Sequence, residues 1–565
     1  MTARSECSFH DTEIYNVSLF SFEENGHSAP NFDRITLHEL DTATVTNRWG
    51  TMNRRTFLRG VGATPAFVAA PSLATNGTTA QSMSPTSVSL TGALEAVVGD
   101  DGTTVYLATH DGFAVADVSD PDNPEILTER RNLLGDREYG PLTRIYDVKV
   151  SGDRLLVAGP NYGAFGDELA GFLLYDVSDP ANPKQVAFFE TDHGIHNAFL
   201  HGETAYLTGT GLDDEPLVVV DVSDDDPEEI ARWSVTDEND TWGPVQSSIH
   251  TCHDVYVQDD TAYVANWDAG TWLLDVSDPA NPTAEAQLGG RDPDTVLDSN
   301  FEMFTEIRER PGNSHYVAPN EDGTLLAVGR EAWDDDASER MGGPGGITLW
   351  DVSDRSSPER LVRLAPPTFE DASSFVNRTS HNFAFRGDRL YTSWYSGGVR
   401  VYDVSTPTEP MLVDAWAKPA ETSFWTAQPV AGGFVATSQL NPTKYEQLSR
   451  EEKRKPNESA KLFTFPEPSA ENAEPARTGG MFVQSGGTAE TTTDETAETA
   501  RTTGTTRETP ADATGQTTAD TPTADPVETT TGTGTGGDVP GFGVVSSMVG
   551  GGLALAESLR RRADD

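Results

Sequence analysis

The chain has 565 residues and a formal net charge of −51, with 90 Asp and Glu against 39 Lys and Arg. That balance excludes a nucleic-acid partner, because neutralising phosphates needs a face of Lys and Arg, and it disfavours direct docking on an anionic membrane. Acidity on this scale matches a protein kept soluble in very high salt, where screening removes self-repulsion, and so points to a halophilic source.

In chain order, residues 1–51 show no periodicity and little core potential, and read as an unstructured or mis-called extension before a true start at Met52. Residues 52–80 carry Arg54-Arg55-Thr56-Phe57-Leu58 followed by an Ala-rich apolar stretch. That arrangement resembles a Tat export signal. The resemblance implies export of an already folded protein by the Tat machinery. A chance Arg-Arg before an Ala-rich linker is the alternative. Of the two cysteines, Cys7 falls in the extension and Cys252 is left alone, so no disulfide framework exists.

From 86 to 466 one phrase organises the chain. Asp176-Val177-Ser178-Asp179-Pro180-Ala181-Asn182-Pro183 recurs letter for letter from Asp275 to Pro282, with near-copies at Asp117, Asp221, Asp351 and Asp403. Each copy follows an apolar run such as FLLY or LVVV, which is strand chemistry, and each is itself turn chemistry. A strand-rich unit of roughly 40–50 residues reads as a propeller blade. Six blades carry the phrase. A seventh has strands near Phe424–Pro429, Gly433–Thr437 and Leu462–Phe465 but no last strand, and the early run Ser87–Thr91 is expected to supply it and close the ring. The expectation is an all-β, seven-bladed β-propeller, with six or eight blades as the alternatives. These strand runs, Leu217–Asp224 (LVVVDVSD) above all, resemble the LVIVD repeat, a family of extracellular β-propellers. The resemblance implies the fold and little about activity.

Residues 467–539 are rich in Thr, Gly, Ala and acids, and read as an extended linker or O-glycosylated stalk. Asn-x-Ser/Thr sequons at Asn76, Asn239, Asn377 and Asn457 are candidate glycosylation sites. Residues 540–562 combine Pro540-Gly541-Phe542, a short apolar stretch and Arg560-Arg561-Arg562. This end resembles the PGF-CTERM sorting signal of archaeal surface proteins. The resemblance implies tail removal by an archaeosortase, a lipid anchor as the membrane attachment, and an extracellular, cell-surface location.

Chemistry is expected on the innermost strands. His196, His253 and His381 each precede a strand tyrosine by ten residues, His315 holds the same place before Leu325, and Tyr146 and Trp425 fill the slot in two further blades. Innermost strands line the channel, so the four histidines form one level of a ring. One reading is a site for Zn, Cu or Fe, with Asp147, Asp254, Asn197 and Asn382 orienting the rings, and with His193 and His250 as further candidates. The other is a duplicated structural position, each ring bonding the next blade's backbone and binding nothing. Glu302, Glu306 and Asp298 are candidates for the channel mouth. Trp242, Trp267, Trp272, Trp394 and Tyr395 are either sugar-stacking residues or blade packing. No hydrolase motif appears. Function then divides three ways: a surface binding or scaffold propeller for a protein or glycan ligand, which leads; a metal-dependent oxidoreductase or hydrolase using the histidines; and a structural envelope component.

Overall fold

In the computed structural model, residues 83–162, 168–298, 313–332, 344–368, 377–478 and 501–502 are described. The export segment (Arg54, Arg55, Phe57, Leu58), Asn76, Glu302, Glu306 and the sorting segment (Pro540, Gly541, Phe542) lie outside them.

Seven antiparallel sheets form the seven blades of a β-propeller. Blade 4 shows the pattern: Asp254–Gln258, Thr261–Ala265, Thr271–Asp275 and Thr283–Leu288 pair in sequence order. The innermost strands of the others are Ala96–Val98, Asp147–Ser151, Ala198–His201, Ser314–Pro319, Phe383–Arg386 and Ser423–Val430. In blade 7 the outermost strand is Thr86–Ser89, antiparallel to Lys461–Pro466 from Thr86↔Thr464 to Ser89↔Lys461. The N-terminal edge of the propeller thus closes the ring, and no blade is left with an unpaired inner face. Gly92 follows at φ +74, where a Cβ would stand 2.4 Å from the Thr109 carbonyl oxygen. Only glycine fits that crossing from blade 7 to blade 1.

The repeated phrase has a physical reason at each letter. The third strand is buried on both faces because blades pack on either side, so its residues run apolar without alternation. Its terminal Asp turns back on its own chain: Asp176 Oδ1 accepts from the Ser178 N–H at 2.9 Å and from its hydroxyl at 2.6 Å, and Asp403 does the same for Ser405. These bonds hold both carboxyls below their ordinary pKa. The following Val is buried, and its N–H reaches the hairpin of its own blade, as Val177 does to the Asp153 carbonyl at 2.8 Å. Asp179 then holds Asn182 across the proline turn at 3.0 Å.

Because the strands alternate in direction, two kinds of connection collect at each end. The Asp-Val-Ser turns and the tight inner hairpins share one end. The long connections share the other: Trp233 to Asp254, Leu288 to Ser314, Arg330 to Ile347, Leu364 to Phe383 and Leu440 to Lys461. Two short segments after the ring add to blade edges, Glu474–Pro475 beside Met411–Leu412 and Arg501–Thr502 beside Ala286–Gln287. The tryptophans 242, 267, 272 and 394 and Tyr395 are all at most 2% exposed, so they pack blades and offer no sugar platform.

Deleting residues 83–91 removes the closing strand and two buried side chains, Met83 and Leu90. Each alone is worth about 2–5 kcal/mol. The variant is expected to melt well below the parent and to self-associate through the bared Lys461–Pro466 edge, read by thermal unfolding and light scattering. An unchanged melting point in a monomer would contradict this closure.

Candidate metal centre

The ring expected from the ten-residue spacing is present at the end that carries the long connections. His196, His253, His315 and His381 follow one another around the channel with ring centroids 4.2, 4.1 and 4.8 Å apart. Trp425 continues the level at 4.1 Å from His381, and Tyr146 stands edge-on to Trp425 at 5.7 Å. Leu94 of blade 1 joins the same apolar cluster as Tyr146 and Trp425. All four histidines are 4% exposed or less.

Burial decides their charge. Desolvation pulls His196, His315 and His381 from 6.5 down to about 3 and His253 well below its ordinary value, and the charge of neighbouring rings adds to this for His196, His253 and His381. Charging one ring in place costs on the order of 5 kcal/mol on that shift. The ring therefore consists of neutral imidazoles at any ordinary pH, the form that ligates metals.

Backbone carbonyls set the tautomer. His253 Nδ1 lies 2.9 Å from the His315 carbonyl oxygen, His381 Nδ1 2.6 Å from that of Trp425, and His196 Nδ1 3.1 Å from that of Asn161. A carbonyl only accepts, so each Nδ1 carries the proton and each Nε2 keeps its lone pair. His253 Nε2 has no hydrogen-bond partner among the described residues. Bonding to the next blade's backbone, the expected alternative to ligation, thus coexists with a free donor atom on the same ring.

The decisive residue is Glu331, which the sequence reading missed. It is wholly buried, with Oε2 3.0 Å from His315 Nδ1 and Oε1 4.0 Å from His381 Nε2. The 3.0 Å approach is not a hydrogen bond. The atoms are misaligned, and both His315 Nδ1 and Glu331 Oε2 lack a partner among the described residues. The Tyr395 hydroxyl donates to Oε1. Burial pushes the Glu331 carboxyl up to about 7, against the opposing pull of His381 and Tyr395. One donor atom each from His315, Glu331 and His381 lies within 4.8 Å of the others, the only such group among the described residues. Two buried imidazoles and a buried carboxylate form a set that suits Zn or non-haem Fe.

A signal for Glu331 existed. Ala265, Gly329 and Ser393 close the register of their blades against Thr271, Ile347 and Val399. Two residues on stand Trp267, Glu331 and Tyr395. Trp267 lies over His253 at 5.7 Å and Tyr395 over His381 at 4.7 Å, each at a positive φ (29° and 46°) that bulky residues rarely adopt. Blade 5 alone among these three puts a carboxylate where its neighbours put an aromatic cap.

Several expected partners have other work. Asp147, Asp254, Asn197 and Asn382 do not orient the rings. Asp147 Oδ2 accepts from Ala198 N at 2.7 Å and Asp254 Oδ2 from Val317 N at 3.1 Å, while Asn197 donates to the His253 carbonyl at 2.8 Å and Asn382 to Glu95. They clamp one blade to another. His193 turns its Nδ1 to the Gly194 carbonyl at 2.8 Å, and His250 packs on Trp242 at 5.4 Å, so neither joins the centre. Asp298 ends a short helix, Pro293–Asp298. The sequon residues Asn239, Asn377 and Asn457 are half-buried, and Asn239 and Asn457 use Oδ1 to cap local N–H groups.

Residues 251–287 match the model of the LVIVD repeat. The match covers blade 4 and begins two residues before His253. The chain is a β-propeller repeat protein. Among solved structures the propeller is similar to the β-propeller domain of Cps50 (Swd1) from Myceliophteria thermophila, at 11% identity and a TM-score of 0.43, covering 67% of this chain and 98% of that one. It is also similar to a protein from Lactobacillus plantarum, at 12% identity and a TM-score of 0.41, covering 59% and 84%. Among curated proteins no match is found.

The depressed histidines make stability depend on pH. Between pH 6.5 and about 3 the unfolded chain binds protons that the folded rings refuse, so each ring's contribution to stability falls as pH falls, by up to about 1.4 kcal/mol per pH unit, against the opposite contribution of buried carboxyls such as Glu331, raised to about 7. Denaturant titrations of the chain in the presence of a chelator across this window check it. His196→Gln is expected to shallow the slope by about one proton's worth, and an unchanged slope would contradict the burial of His196 as a neutral ring.

Proposed function

We propose that this propeller holds one transition-metal ion through His315, Glu331 and His381, with coordination positions left open for an external ligand or substrate. The observation that carries the reading is the misaligned 3.0 Å contact between His315 Nδ1 and Glu331 Oε2, two buried polar atoms with no partner among the described residues. An unpartnered buried pair is costly, and a shared cation satisfies both atoms. Of the three divisions of function, a metal-centred protein fits this geometry better than a scaffold recognised only by its rim. A Lewis-acid or redox role is open to such a donor set.

The same proposal places the chain outside a halophilic archaeal cell, exported through its twin-arginine segment and held at the surface through its Pro540-Gly541-Phe542 tail. The composition supports this, with a net charge of −51 and a Thr-rich stretch between ring and tail.

Elemental analysis of the full chain, purified in high salt without added chelator, tests the metal reading. About one Zn, Fe or Cu per chain is expected, with a loss of affinity of about a hundredfold or more in Glu331→Gln, which keeps the shape and the Tyr395 contact. Equal metal content in parent and variant, or none in either after incubation with each ion, would overturn it.

A further inference from the structure

A pocket of about 60 Å³ lies where the connection from Leu440 to Lys461 folds over the start of blades 1 and 2. Tyr146, in its wall, stands edge-on to Trp425 at 5.7 Å, and Trp425 lies 4.1 Å from His381. The pocket is thus at the end of the ring that carries the histidine level.

Its charge is the reverse of the chain's. Residues 444–461 hold six Lys and Arg against four Glu, whereas the whole chain has 39 against 90. Lys453 and Lys455 line the pocket, and no carboxylate does. That is a local field suited to an anion. Lys453 is half-buried and makes no ion pair among the described residues, and its ammonium lies over the Tyr445 ring at 4.8 Å. Lys455 pairs with Glu451 at 3.1 Å, an exposed i,i+4 pair that is worth little in water and that an entering anion can share. Two amides add donors. Gln439 Nε2 is buried and has no partner among the described residues. Asn457 spends its Oδ1 on the Ser459 N–H and hydroxyl, at 2.9 and 2.5 Å, which leaves its NH2 to donate.

The complement of ammonium and amide donors is a group that only accepts, as a carboxylate does. The remaining walls favour an organic ion over a bare inorganic one. Leu94, Leu440 and Tyr146 give the pocket an apolar side that a bare ion would leave wet. The volume is that of about two water molecules, which limits the apolar part to a few carbons. We propose that this pocket binds a small organic carboxylate, its head at Lys453 and Gln439 and its short chain against Leu440 and Tyr146. The site needs no metal ion and does not rest on the histidine centre.

Isothermal titration of the full chain with sodium propionate at fixed high salt, beside the neutral propionamide and sodium sulfate, reads the proposal directly. Saturable binding of propionate at one per chain and none of propionamide is expected. Lys453→Gln should weaken it by about tenfold or more, and Gln439→Glu, which sets a like charge against the head, should abolish it. Glu331→Gln should leave it unchanged. Loss of binding in that variant would put the carboxylate on a metal ion and overturn the proposal. Propionamide or sulfate binding as tightly as propionate, or no saturable binding of any of them, would overturn it on the unaltered chain alone. Undiminished binding in folded Lys453→Gln and Gln439→Glu would overturn it too, by placing the propionate elsewhere.

Discussion

Everything in this molecule depends on the pairing of Thr86–Ser89 with Lys461–Pro466. A four-stranded blade is apolar on both faces, as the uniformly buried third strands show, and it needs a neighbour on each side. A linear array would leave two blades half bare. Closing the array through a strand borrowed from the other end of the propeller removes both bare faces. Closure also fixes the channel radius, and that radius brings each ring of four successive blades to within 5 Å of the next.

The channel built in this way is lined by buried polar side chains. Its side chains are satisfied first by neighbouring blades, through Asp147, Asn197 and Asp254 reaching the next innermost strand. Among the atoms those clamps leave without a partner in the described residues are His253 Nε2, His315 Nδ1 and Glu331 Oε2. His315 and Glu331 converge with His381. The same inventory of orphaned atoms thus picks out the group of His315, Glu331 and His381 without appeal to the fold, which is compatible with many activities.

Much of this was legible in the sequence. The phrase at Asp176 and Asp275 announces its own turn, because Asp, Ser, Pro and Asn each perform a local task that needs no tertiary partner. The closing strand was legible because blade 7 lacked one. The histidine level was legible because a hairpin fixes the distance from ring to tyrosine. Glu331 was not, since its repeat position carries Trp267 and Tyr395 in the adjacent blades and a long connection follows it. The tasks of Asp147 and Asp254 were misread for a different reason. Spacing places a residue at a level of the channel, while the gap between blades decides whether it turns to the ring above or the strand beside it. The bond from Asn382 to Glu95, 287 residues apart, has no signal in the spacing of either blade.

The most direct test of the account is X-ray absorption at the metal edge on the full chain as purified. Two imidazoles and one carboxylate around a single ion, with multiple scattering from histidine rings that disappears in Glu331→Gln, is the predicted result. An ion surrounded only by carboxylate and water oxygens would place it on the acidic surface and contradict a metal centre inside the ring.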